Sequence, residues 1–172
     1  MKDSVLVTGA ATGLGLETAI HLAERGFDSY AAVHEESARA AVEEAAAQRK
    51  VRLHVLKLDI KSQEDIDRAV ATVLERSGNI YGLVNNAGIG LRGYFEDLAD
   101  EEIRELFEVN IFATMAMTRR IMHLSSSVWG SRFARPDLVD HCPANVAACQ
   151  AVGPGSIATG GWDGPRSGTA GR

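Results

Sequence analysis

Val5-Leu6-Val7-Thr8-Gly9-Ala10-Ala11-Thr12-Gly13-Leu14-Gly15 is a short apolar run followed by three glycines. It leads into Leu16, Ala19, Ile20 and Ala23, spaced i, i+3, i+4, i+7 as one buried helix face requires. A strand, a glycine-rich turn and a helix in that order place backbone N–H groups and the positive end of a helix dipole where an anion can sit. Gly9 permits a tight turn out of the strand, Gly13 lets backbone approach a phosphate, and Gly15 allows close helix–strand packing. Taken alone, the loop also fits an ordinary turn.

The same alternation continues outward. A second strand is predicted over 29–33, an alanine-rich helix over 37–48, and a third strand over 51–58, where aliphatic and β-branched residues concentrate. Ser62 is a helix cap with Asp65 three residues on, as in a capping box, and Ile66, Ala69, Val70 and Val73 repeat the helical spacing. A fourth strand is predicted over 80–84. Four strands separated by three helices imply an α/β fold with a parallel sheet and right-handed crossovers. Ile103, Leu106 and Phe107 mark a further amphipathic helix, and apolar residues continue through Met122.

From Ser125 onward the chain contains no lysine and no glutamate, and Gly, Pro, Ala and Ser dominate. This predicts two parts: a domain over 1–124, and a low-complexity, disordered tail over 125–172 that cannot bury enough apolar area to offset chain entropy. The 172 residues carry a formal net charge of -5 and 45% hydrophobic residues. That balance offers no basic stripe for nucleic acid and no polybasic membrane patch. With no long apolar run and no signal-peptide pattern, the expected compartment is the cytosol. Cys142 and Cys149 lack the spacing of a zinc half-site even with His141 beside them, so no metal is expected.

The spacing Thr8-Gly9-x-x-x-Gly13-x-Gly15, Asp59 just past the third strand, Asn85-Asn86-Ala87-Gly88 just past the fourth, and Asn110 in the next helix together resemble the short-chain dehydrogenase/reductase family. The resemblance covers about the first 124 residues. It implies an incomplete Rossmann-like, doubly wound parallel sheet and hydride transfer between NAD or NADP and an alcohol or carbonyl substrate. Gly9, Thr12, Gly13, Leu14, Gly15, His34, Asp59, Ile60, Asn86, Ala87 and Gly88 then fall to the cofactor, and Asn110 to the active site. His34 and Glu35 occupy the position that selects between the cofactors. A neutral imidazole there serves a ribose hydroxyl, a protonated one a 2′-phosphate, and an inward Glu35 repels that phosphate. The choice stays open.

The family's catalytic tyrosine and the lysine four residues after it have no counterpart. The tyrosines are Tyr30, Tyr81 and Tyr94, all before Asn110, and no lysine follows Lys61. Ser127, in Ser125-Ser126-Ser127, is the best match to the catalytic serine, yet counting on from it puts Asp140 and Ala144 where tyrosine and lysine belong. A family member truncated or frameshifted near His123 is the leading reading. A non-catalytic dinucleotide-binding module, or an enzyme using an unfamiliar base such as His141, are the alternatives.

Overall fold

The computed structural model of the chain describes residues 2–128, with side chains through Met122 apart from Phe95. Four parallel strands, β1 (Ser4–Val7), β2 (Asp28–Val33), β3 (His54–Lys57) and β4 (Gly82–Val84), lie in the order β3-β2-β1-β4. The sequence is therefore laid outward from β1 in one direction and then restarted on its other side. That reversal opens a crevice at the carboxyl ends of β1 and β4.

Three helices follow the first three strands: α1 (Gly13–Glu24), α2 (Arg39–Gln48) and α3 (Gln63–Ser77). Side chains on each strand alternate between two cores. Leu6, Tyr30, Ala32, Leu56 and Leu83 join Ile66, Val70 and Val73 of α3, whereas Val5, Val7, Ala31, Val33, Val55 and Val84 join Ala19, Ile20 and Val42. Strands covered on both faces read as unbroken apolar runs for this reason. Each large side chain so buried contributes about 1.5–3 kcal/mol.

Two strands are shorter than the sequence suggests. Val51 N–H is taken by Ala46 O at the end of α2, so β3 starts only at His54, and β4 starts at Gly82. Apolar content marked how deeply these residues are buried, but strand ends are set by where the ladder begins. The capping box at α3 is half formed. Ser62 Oγ accepts from Asp65 N–H at 3.2 Å, but the Asp65 carboxylate turns to Asp59 N–H at 3.0 Å and to Arg68 instead of returning to Ser62.

After β4 a loop leads to α4 (Asp100–Phe107), a wide π-type turn over Glu108–Ala113, and α5 (Thr114–Val128). Val109, Ala113 and Met117 pack into the α3-side core, while Phe107, Ile111, Phe112, Met115 and Met122 are exposed. α5 runs to Val128. The remainder of the tail, with His141, Cys142 and Cys149, lies outside the described residues. Among the described residues no helix is long and apolar enough to cross a membrane, and no group of three His, Cys, Asp or Glu is placed to hold a metal ion.

Candidate functional site

The crevice is organised by Thr8, a residue that sequence reasoning quoted but did not assign. Its hydroxyl is buried and accepts from Asn86 N–H and Ala87 N–H, both at 3.1 Å, while donating to Val84 O at 3.3 Å. Asn86 returns the contact: its Nδ2 donates to Thr8 O and Gly9 O, each at 3.0 Å. The first turn after β1 and the first turn after β4 are thus locked to each other by side chains aimed at backbone. A threonine ending a buried strand before glycine was the available signal.

Two glycines make this closeness feasible. A Cβ on Gly9, whose φ is +64°, would stand 2.7 Å from Ala87 Cα; one on Gly15 would stand 2.4 Å from both Asn86 Nδ2 and Gly9 O. Gly13 differs. Its φ is +57°, yet a Cβ there would meet nothing within 4 Å, so it faces open space. Thr12 caps α1 in extended conformation without a side-chain hydrogen bond, and the first ladder bond is Leu16 N–H to Thr12 O at 3.4 Å. The N–H groups of α1's first turn are therefore left to an outside acceptor. Leu14 projects outward beside them, 79% exposed.

At the carboxyl ends of β2 and β3, His34 lies between two carboxylates, with Nε2 3.4 Å from Glu35 Oε1 and Nδ1 4.0 Å from Asp59 Oδ1. Asp59 Oδ1 also accepts from Lys61 N–H at 2.9 Å, an Asx-type turn that holds the carboxylate at the crevice rim. The Asp59 N–H donated to Asp65 keeps that second carboxyl below its usual range, with Arg68 assisting. The Ile60 side chain is spent in the α3-side core, which leaves only its backbone to face the crevice.

Asn110 sits in the π turn. It is no solvated surface amide: Nδ2 donates to Ile89 O and Oδ1 accepts from Ile89 N–H, both at 2.9 Å. A Cβ on Gly88 would lie 3.1 Å from Asn110 Oδ1, so that glycine clears the bridge. Asn85, also missed, ties the same loop to α5 through Nδ2 to Thr118 Oγ1 at 2.9 Å. The structure thus brings together the glycine loop, Asn86, Ala87, Gly88 and Asn110, with His34 and Asp59 along the rim. Ser127 falls near the end of α5, and its side chain lies outside the described residues.

The sequence profile of the short chain dehydrogenase family matches residues 3–131. The chain belongs to that family. It is 32% identical over 157 residues to the mitochondrial D-beta-hydroxybutyrate dehydrogenase of Rattus norvegicus, covering 81% of this chain and 45% of that protein. With the cyclopentanol dehydrogenase of Comamonas sp. it shares 36% identity over 119 residues, 69% of this chain and 47% of the relative. Among solved structures, the actinorhodin polyketide ketoreductase with NADPH superposes with a TM-score of 0.69 at 29% identity, covering 75% of this chain and 49% of that one. The chain thus spans about half the length of the relatives it matches.

Proposed function

We propose that this family member uses the crevice to bind NAD or NADP and forms the cofactor-binding half of an oxidoreductase acting on an alcohol or carbonyl compound. The observation that carries the reading is Gly13, a left-handed glycine opening onto empty space at an uncapped helix N-terminus, beside a turn locked by Thr8 and Asn86. A pyrophosphate fits there: it supplies acceptors for the first-turn N–H groups and negative charge for the dipole. Asp59 and His34 stand ready for the adenosine end, and Glu35 beside His34 disfavours a 2′-phosphate, so NAD is the preferred partner. When bound, the nicotinamide gives or takes the hydride.

Proton transfer is the part these residues do not supply. Burial raises the Tyr30 hydroxyl above its ordinary range, and that hydroxyl is held by Ser77 Oγ at 2.6 Å. Tyr81 packs on Phe27, and Tyr94 has Leu98, not lysine, four positions on. A placed acid or base is commonly worth about 10²–10⁴-fold in rate. We therefore expect dinucleotide binding without family-like turnover from these 172 residues.

Calorimetry with NAD and with NADP tests the first claim. Binding that Gly13→Val abolishes, in protein whose circular dichroism is unchanged, is the expected result; no heat with either cofactor on folded protein would overturn it. Nicotinamide absorbance against a panel of alcohols and carbonyls tests the second. Turnover at family-like rates, lost in His141→Ala, would establish a different base and end the inactive reading.

A further inference from the structure

At the far edge of the sheet, away from the glycine loop, lies a groove of about 580 Å³ between α2 and α3, floored by β3. Its walls carry Arg39, Arg52, Lys57, Arg68 and Arg76, against one carboxylate, Glu43. A second cavity of about 370 Å³ shares Val51, Arg52 and His54 with it and adds Lys2, Lys50 and the carboxylate of Asp28, itself 2.9 Å from His54 Nε2, so the two neighbour each other as one track in which cations outnumber carboxylates. This concentration runs against a net charge of -5 for the whole chain. Arg39 is paired with Glu36, and Arg68 with Asp65, but Arg52, Lys57 and Arg76 are exposed and stand within ion-pair distance of no carboxylate among the described residues.

The floor of the groove is an open strand edge. Leu58 N–H points inward to Val33 O, so alternation turns the backbone groups of Val55 and Lys57 outward. Val55 O confirms the direction, since it accepts from Arg39 Nη1 at 2.7 Å from the groove side. The N–H groups of Val55 and Lys57 are left facing the groove.

We propose that this track binds an extended acidic peptide, which adds as a strand along β3 while its carboxylates meet Arg52, Lys57 and Arg76. Outward backbone donors on β3 and a surplus of cations around them, from the β3 segment and from α3, are the two halves of strand-addition recognition for an acidic peptide. Single-stranded nucleic acid fits less well, because it relies on aromatic platforms for its bases. Phe27, the phenyl ring in the track, is instead turned onto Tyr81, with ring centroids 6.0 Å apart. The surface is independent of the dinucleotide crevice, so the two proposals stand or fall separately.

The test uses the full chain and a short fluorescein-labelled peptide of alternating glutamate and valine, read by polarisation. Binding is expected, weakening as salt rises from about 0.05 to about 0.3 M. Arg52→Glu with Arg76→Glu should weaken it about tenfold or more, with dinucleotide binding and circular dichroism unchanged. If that pair unfolds the protein, Arg52→Ala with Lys57→Ala gives the same reading. N-methylation at alternate amides should abolish binding in the register whose amides face β3 and leave it largely intact in the other register, whose amides face solvent. Absence of binding, indifference to the charge variants, equal binding of both N-methylated peptides, or tighter binding of oligothymidylate would each overturn the proposal.

Discussion

Asn86 and Asn110 each splint a loop by aiming a side-chain amide at backbone, yet they do so in different surroundings. Asn86 works beside the buried Thr8 hydroxyl, between two turns that leave the neighbouring strands β1 and β4. Asn110 works from a π turn anchored in the core by Val109 and Ala113, but it holds a single residue, Ile89, of a loop that is exposed from Gly88 to Gly90. A hydrogen bond adds about 0.5–1.5 kcal/mol net wherever it forms, but a partner orphaned away from water costs about 1–3 kcal/mol. The Thr8–Asn86 lock is therefore a stability element as well as a site element. The Asn110 bridge mainly sets the position of its loop, in keeping with π turns recurring at functional positions.

The sharpest way to break the contrast is Gly9→Ala. It adds a left-handed Cβ at 2.7 Å from Ala87 Cα and should cost about 3–5 kcal/mol, read as a fall in the denaturant midpoint together with loss of cofactor binding. Next is Thr8→Val, nearly isosteric, which orphans the Asn86 and Ala87 N–H groups and should cost about 2–4 kcal/mol by the same measurement. Asn110→Ala should cost only about 1 kcal/mol globally while raising exchange of the Ile89 amide about tenfold. If Asn110→Ala destabilised the protein as much as Thr8→Val, the distinction between the two splints would be wrong.

The smallest effect concerns pH at the crevice rim. Asp65 is held below its usual range, first by Asp59 N–H and then by Arg68. A carboxylate with a depressed folded pKa contributes stability that is full above the unfolded value, about 3.9, and is lost as pH falls through the folded value. Asp65→Asn should remove that part of the acid dependence, so the stability profiles of the two proteins converge below about pH 4. Parallel profiles through that range would contradict the assignment.

The order of elements was legible because apolar periodicity records which faces are buried. The runs at Val5 to Val7 and Ser29 to Val33 and the i, i+3, i+4, i+7 face at Ile66 all became core. The glycine loop was legible as well, since left-handed turns and close backbone approaches leave glycine as their trace. Strand ends at His54 and Gly82 were not, because they depend on which N–H finds a neighbour.

By itself, then, the sequence determined the α/β alternation, the glycine positions and the absence of a tyrosine–lysine pair after Asn110, all of which are local patterns of residue type. Only the tertiary structure decided that Thr8 and Asn86 meet across 78 residues, that Asn110 grips Ile89, and that Ile60 belongs to the core. It also gathered basic residues from α2, α3 and the β3 segment into one track within an acidic chain, where composition had offered no basic stripe. The physical reason is the same throughout: periodicity encodes burial relative to the residue's own element, whereas hydrogen bonds and charge clusters depend on which elements the chain brings side by side.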